Sequence, residues 1–232
     1  IDGIDAGVYN DTLTGVYLDS GRHEIEGRIY YVDTLGRMRC NRKSIVVVDV
    51  SDLLPGVLNP EQTVCYNEKP QDLYVLDSAS GGSGEYFYSW EYWNRVDSIW
   101  EPYLDTSGAQ VADPILAFDP TVGFIESQIF RRAVYDHTVK KYTTATHITV
   151  LPKPDPPIVD TPIVCFGDWV GALGATPTAG YEVEWYNYNN VTSLRANAPV
   201  LDSLYAGDQI YYVAQRGTIF GCSSDLKKVV FR

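Results

Sequence analysis

Apolar and polar residues alternate in short runs along this chain, and Gly, Pro, Asn and Asp separate the runs. Period-two alternation places successive side chains on opposite faces of an extended backbone, so the pattern predicts strands, with few helical periodicities to compete. In the run Tyr86-Phe87-Tyr88-Ser89-Trp90-Glu91, the residues Tyr86, Tyr88 and Trp90 share one face while Phe87, Ser89 and Glu91 share the other. Tyr181, Val183 and Trp185 alternate with Glu182, Glu184 and Tyr186 in the same register, so each run predicts a strand that ends in an inward Trp. The predicted class is all-β.

One phrase recurs. Ile210-Tyr211-Tyr212-Val213, Cys222 and Lys228-Val229-Val230-Phe231 echo Ile29-Tyr30-Tyr31-Val32, Cys40 and Ser44-Ile45-Val46-Val47-Val48. A third copy, without the cysteine, is Ile129-Phe130-Arg131-Arg132-Ala133-Val134 followed by Thr146-His147-Ile148-Thr149-Val150. A strand-turn-strand unit repeated in this way reads as an array of modules of roughly 80 to 100 residues, the size of immunoglobulin-like β-sandwiches. The prolines of Leu151-Pro152-Lys153-Pro154-Asp155-Pro156-Pro157 cannot donate to a ladder and favour an extended linker. Pro55-Gly56 and Asn59-Pro60 mark a second boundary. Modules are therefore expected at 1–55, 56–152 and 153–232. The first copy has nothing that corresponds to the Trp strand, so 1–55 is expected to be the C-terminal half of a module and the chain to begin within a domain. Its strands around residues 29–32 and 45–50 are expected to form a hairpin with an apolar face and an open edge.

The 232 residues are 45% hydrophobic and 13% aromatic, enough apolar material for packed cores rather than disorder. A formal charge of -12 without a basic run opposes nucleic acid and an anionic membrane surface as partners. No run approaches the roughly 20 apolar residues that cross a bilayer, and the first residues lack the features of a signal peptide. Eighteen tyrosines and a single Met beside abundant Thr, Val and Ser fit a secreted β-protein.

The phrases Val64-Cys65-Tyr66-Asn67-Glu68-Lys69-Pro70 and Val164-Cys165-Phe166-Gly167-Asp168 open the second and third modules. With the Gly81-Gly82-Ser83-Gly84 turn leading into Tyr86-Phe87-Tyr88-Ser89-Trp90, and the strands at Phe130-Arg131-Arg132 and Tyr211-Tyr212-Val213, they give the chain its likeness to a known family. It resembles the immunoglobulin-like repeats of large secreted and gliding-motility-associated surface proteins of the Bacteroidota. The resemblance covers the second and third modules and the later half of the first. It implies export by a type IX route, an extracellular location at the cell surface or in the medium, and service as non-catalytic adhesin or stalk modules whose partners are other modules of the same long chain. The middle copy departs from the pattern, with Lys140-Lys141 about where the other copies place a cysteine.

Cys165 and Cys222 sit at equivalent ends of one complete module, and in an oxidising compartment such a pair is expected to form a structural disulfide. The pairing of Cys40 and Cys65 stays open. The cysteines lack CxxC spacing and His23, His137 and His147 are scattered, so zinc is poorly supported. No EF-hand-like run offers a calcium site, no pair of carboxylates is singled out for glycosidase chemistry, and the Gly81–Gly84 loop precedes a strand rather than a phosphate-cradling helix. No residue is singled out as catalytic, and no metal or cofactor is expected. Trp90 and Trp185 are expected in sandwich cores. Trp93 and Trp100, beyond the alternating run, are candidates for a glycan-stacking platform. The alternative reading is thus a glycan-binding module, appended to a secreted enzyme, with surface glycans or another cell-surface protein as partner. Triplets at Thr12, Thr34, Ser78, Ser98 and Ser203 resemble the short Asp-Ser/Thr-apolar signal for O-glycosylation of exported proteins in that phylum, although Asp and Ser also cap ordinary turns. Asn10-Asp11-Thr12 and Asn190-Val191-Thr192 match the N-glycan acceptor.

Overall fold

The computed structural model of the chain describes residues 16–137, 139–161, 165–168, 171–187, 190–195 and 197–231, with residues 40–41, 187 and 190–195 described by backbone alone. Among the described residues the elements are strands: β1 (Gly21–Val32), β2 (Met38–Val50), β3 (Val57–Leu58), β4 (Gln62–Cys65), β5 (Val75–Asp77), β6 (Phe87–Asn94), β7 (Ile99–Pro102) and β8 (Gln128–Tyr135). They continue with β9 (Lys140–Tyr142), β10 (Thr146–Leu151), β11 (Ile158–Val159), β12 (Ala175–Thr176), β13 (Tyr181–Asn187), β14 (Asn190–Arg195), β15 (Gln209–Gly217) and β16 (Lys227–Phe231). The fold is all-β, with immunoglobulin-like sandwiches in tandem. Two compact units divide the chain, one of residues 1–61, 71–117 and 128–147 and the other of residues 62–70, 118–127 and 148–232.

In the first unit, β1 and β2 form an antiparallel hairpin with a register shift at Ile29/Tyr30. The two apolar runs do not face each other. Ile29 lies opposite Arg42 and Val32 opposite Met38, whereas Ile45 lies opposite Glu26 and Val48 opposite His23. Local turn chemistry sets this register. The Asp33 carboxylate accepts the backbone N–H of Leu35 (3.0 Å) and Arg37 (2.9 Å), and Gly36 takes φ 76° to close the turn directly after Val32.

The same unit holds most of a sandwich. β3 pairs with β5, and the bridge Leu73–Leu116 extends that smaller sheet. Within this unit the larger sheet holds β6 between β7 and β8, with β9 also on β8. The opening edge is split at Pro60, so that β3 belongs to the small sheet while β4 runs parallel to the last strand β10, an immunoglobulin-like arrangement. Asn59, 4% exposed, secures the split: its carboxamide oxygen accepts the Tyr74 N–H at 3.1 Å and its carbonyl accepts the Thr146 hydroxyl at 3.2 Å.

Trp90, Phe130, Val134, Leu73 and Leu116 are buried in this unit, as the alternation of the Trp90 run predicts. The Gly81–Gly84 segment is a turn. Gly82 has φ 59°, and a Cβ there would lie 2.0 Å from Oδ2 of buried Asp136, which accepts the Ser83 N–H at 2.8 Å.

In the second unit, β4 and β10 pair from Gln62–Ile148 to Cys65–Leu151. β11 pairs with β12, and a four-stranded sheet runs β14-β13-β15-β16. Leu173, Trp185, Leu201, Val213, Val229 and Phe231 form its core, so Trp185 takes the inward place its alternation implies. Gln215, 1% exposed, ties the proline linker to this sheet by donating from Nε2 to the Asp155 carbonyl at 2.5 Å.

Candidate functional site

On the larger sheet of the first unit, the face opposite Trp90 carries Phe87, Ser89, Glu91 and Trp93 from β6. Pairing fixes their neighbours: Glu91 is opposite Arg131 on β8, and Trp93 is opposite Trp100 on β7. The Arg131 guanidinium donates to Glu91 Oε2 from Nε (2.8 Å) and Nη2 (2.5 Å), and its centre lies 4.1 Å from the Trp100 ring centroid and 3.8 Å from that of Tyr142. Lys140 Nζ donates to the other Glu91 oxygen at 3.4 Å. Burial opposes the Lys140 charge, but its contacts with Tyr142 and Glu91 prevail and hold its pKa above the ordinary lysine value.

Trp93 and Trp100 are brought together, as the stacking reading requires, but edge to face, with centroids 5.4 Å apart and planes at 66°. Both are half-buried. Arg131 occupies one face of Trp100, so the pair presents an angled corner rather than a flat apolar floor. Sequence reasoning missed Glu91, Arg131 and Tyr142. The alternation that placed Glu91 on the outward phase was the available signal, but its partner depends on the pairing of β6 with β8.

The disulfide differs from the sequence expectation. Cys222 is bonded to Cys65, 157 residues away with Cα atoms 5.3 Å apart, and Cys165 is free and exposed. Cys165 and Cys222 lie at opposite ends of β15. The Cys165 turn is held to the loop before β15 by the Gly167 N–H, which donates to the Ser203 carbonyl at 2.9 Å, whereas Cys222 follows β15 and its carbonyl accepts the Gly217 N–H. Nine residues of strand at about 3.3 Å each separate the two by roughly 25 Å, far beyond the Cα spacing of a disulfide. The sequence did contain a hint: the middle copy has an opening cysteine and no second cysteine, so any partner of Cys65 lies in another copy.

Of the hydroxyls in glycosylation-like triplets, Thr34 lies in the exposed β1–β2 turn, Ser78 is exposed after β5, Ser98 is exposed in the β6–β7 turn with φ 56°, and Ser203 is half-buried before β15. Thr12 lies outside the described residues. Asp33 and Asp202 each accept the N–H two residues on, from Leu35 and Leu204, both at 3.0 Å, so those triplets also serve as turns.

No family model matches the chain, and no curated protein sequence does. Among solved structures it is similar to the N-terminal four Ig domains of Dscam1 isoform 7.44, with 12% identity, TM-score 0.30, and coverage of 77% of this chain and 49% of that one. It is also similar to the N-terminal Ig1-2 module of the Drosophila receptor protein tyrosine phosphatase DLAR, with 11% identity, TM-score 0.26 and coverage of 75% and 95%. A third is the set of fibronectin(III)-like modules of Clostridium thermocellum CbhA, with 13% identity, TM-score 0.29 and coverage of 77% and 91%. The chain spans about half the length of the Dscam1 fragment. The immunoglobulin-like assignment rests on the chain's own strand order, with its split opening edge and parallel β4–β10 pair.

Proposed function

We propose that the chain is a non-catalytic segment of a secreted cell-surface stalk or adhesin, of the Bacteroidota repeat type that its motifs resemble and exported by the type IX route. The observation that carries this reading is the Cys65–Cys222 bond, which closes 157 residues of chain. A bond of this kind persists in an oxidising compartment, which supports an extracellular location. Under tension it also removes from extension a segment whose contour would reach roughly 500 Å at about 3.4 Å per residue. A stalk gains from such a clasp, because the sandwiches between the two cysteines stay out of the load path if one of them unfolds.

Single-molecule stretching between the chain ends tests this. The oxidised chain should release only the contour outside residues 65–222, and reductant should add back the hidden length. Full extension under oxidising conditions would remove the mechanical basis of the proposal. The competing glycan-binding reading predicts saturable binding on a glycan array that is lost in Trp93→Ala or Trp100→Ala, and the stalk reading predicts no such binding.

A further inference from the structure

Among the described residues, β1 pairs with β2 along one edge and with no strand along the other. An unpaired edge presents backbone N–H and C=O groups to another chain, and protein edges are ordinarily blunted by Pro, Lys or a covering element. β1 contains neither Pro nor Lys, and from Ile25 to Val32 its charges are Glu26 and Arg28. These two have opposite signs and flank Gly27. No described atom beyond the sequence neighbours lies within 4 Å of where a Cβ on Gly27 would stand, and its φ lies outside the left-handed region. Neither crowding nor backbone strain within the chain therefore calls for glycine there. Glycine weakens a strand interior and marks a place where another backbone comes close.

The sequence around Gly27 is self-complementary. Laying two β1 strands antiparallel, with Gly27 opposite Gly27, sets each Glu26 against Arg28 of the other copy and each Ile25 against Ile29. Cross-strand pairs of opposite charge and of β-branched side chains stabilise a sheet, and like charges directly opposite destabilise it. Within one chain Arg28 lies opposite Lys43, two like charges abreast that share the Glu26 carboxylate. A second copy gives Arg28 a carboxylate on its other side. Centring the strands on Ile25 instead sets Glu24 against Glu26 and Arg22 against Arg28, like against like. On the opposite face Ile25 lies beside Val46, and Ile29 is 64% exposed. The Gly27 register brings that Ile29 against Ile25 of the other copy, next to its Val46.

We propose that two copies of this chain associate through the outer edges of their β1 strands, antiparallel about Gly27, so that two hairpins become one four-stranded sheet in the order β2-β1-β1-β2. Main-chain hydrogen bonds across the new edge supply the attraction, and the Glu26–Arg28 and Ile25–Ile29 pairs fix the register. The contact joins like surfaces, so it closes at two copies rather than growing into a series. It is one strand wide, and it forms reversibly, as small interfaces do. The inference goes beyond the stalk reading and shares no residue with the Cys65–Cys222 bond on which that reading rests.

The experiment uses the full chain with Cys40→Ser and Cys165→Ser, which leaves Cys65 and Cys222 as its cysteines. Sedimentation equilibrium should show monomer and dimer in proportions that follow concentration, with no larger species. Glu26→Arg and Arg28→Glu should each give monomer, since each sets like charges opposite one another. Mixing those two variants should restore the dimer, because the substituted residues then face opposite charges across the contact. As a second measurement, cysteines placed on β1 report the register when oxidised glutathione is added. Gly27→Cys should cross-link to itself, whereas Ile25→Cys and Ile29→Cys should cross-link to each other and neither to itself. A chain that stays monomeric at every concentration overturns the proposal. So does a dimer in which Gly27→Cys fails to cross-link or Ile25→Cys cross-links to itself, because the contact then lies on another edge or in another register. Loss of Cys65–Cys222 on peptide mapping would instead count against the clasped-stalk reading, so the two failures are distinct.

Discussion

Arg132 donates from Nη2 to the carbonyl of Pro55, 77 residues earlier in the chain, at 2.8 Å. Its other terminal nitrogen reaches the Pro114 carbonyl at 3.1 Å, and its guanidinium lies 4.8 Å from the Tyr88 ring centroid. At 1% exposure it is a buried cation satisfied by backbone carbonyls and an aromatic face, and burial lowers its pKa from the ordinary arginine value. Its Nε has no partner among the described residues.

Arg132→Ala should therefore leave two buried carbonyls unpaired beside a cavity, and lower unfolding free energy by roughly 3–5 kcal/mol. Arg132→Met refills most of the volume and should cost less, about 1–3 kcal/mol for the unpaired carbonyls. Urea denaturation of the two variants measures both. Equal losses would mean that the hydrogen bonds to the Pro55 and Pro114 carbonyls, and not packing, account for the role of Arg132.

The outward face predicts coupling. Glu91 and Arg131 have 11% and 21% side-chain exposure, so removing Glu91 leaves Arg131 partly buried without its carboxylate, and removing Arg131 leaves Glu91 only its longer contact with Lys140. A double-mutant cycle on Glu91→Ala and Arg131→Ala should give an interaction energy on the order of 1–2 kcal/mol. A coupling near zero would reduce the pair to an ordinary surface ion pair.

The alternation around Trp90 and Trp185 made both core strands legible in the sequence, because a half-buried strand reveals its inner face one residue at a time. Relationships between strands were less legible. Asp33 and Gly36 decided the hairpin register by closing a tight turn right after Val32, and the apolar runs at 29–32 and 45–48 had no vote. The cysteines were misread for a similar reason. Proximity within one copy suggested Cys165–Cys222, but β15 holds those two apart, and the bond to Cys65 depends on how one copy follows another.

Alkaline titration should expose the bond between Tyr92 and Glu101. The Tyr92 hydroxyl donates to Glu101 Oε2 at 2.5 Å, which raises the Tyr92 pKa, with burial adding to the rise, and lowers that of Glu101. A raised folded-state pKa means that the stabilisation is fully present below the unfolded value near 10 and is lost as pH rises through the folded value. For Glu101 the sign reverses: its contribution is present above about pH 4.3 and lost as pH falls through the lowered value. Glu101→Gln should shift the ultraviolet ionisation of one tyrosine toward lower pH, and an unchanged titration would show that the bond does not persist in solution.

Among the described residues the β1–β2 hairpin is two strands wide and pairs with no third strand along either long edge. Ile29, Tyr31, Val32, Ile45, Val46 and Val47 are 42–65% exposed, so the ribbon buries little apolar surface to offset the entropy of ordering it. The β6–β8 pair, by contrast, lies in the interior of a sheet over buried Trp90 and Phe130. Amide exchange should therefore proceed by local opening throughout β1 and β2, orders of magnitude faster than in β6 and β8, whose exchange should track global unfolding. Adding strands to either edge by raising the protein concentration should slow exchange in the hairpin and leave β6 and β8 unchanged. If dilute monomer protects β1 as strongly as β8, then the hairpin is not the weakly held ribbon that its exposed side chains imply.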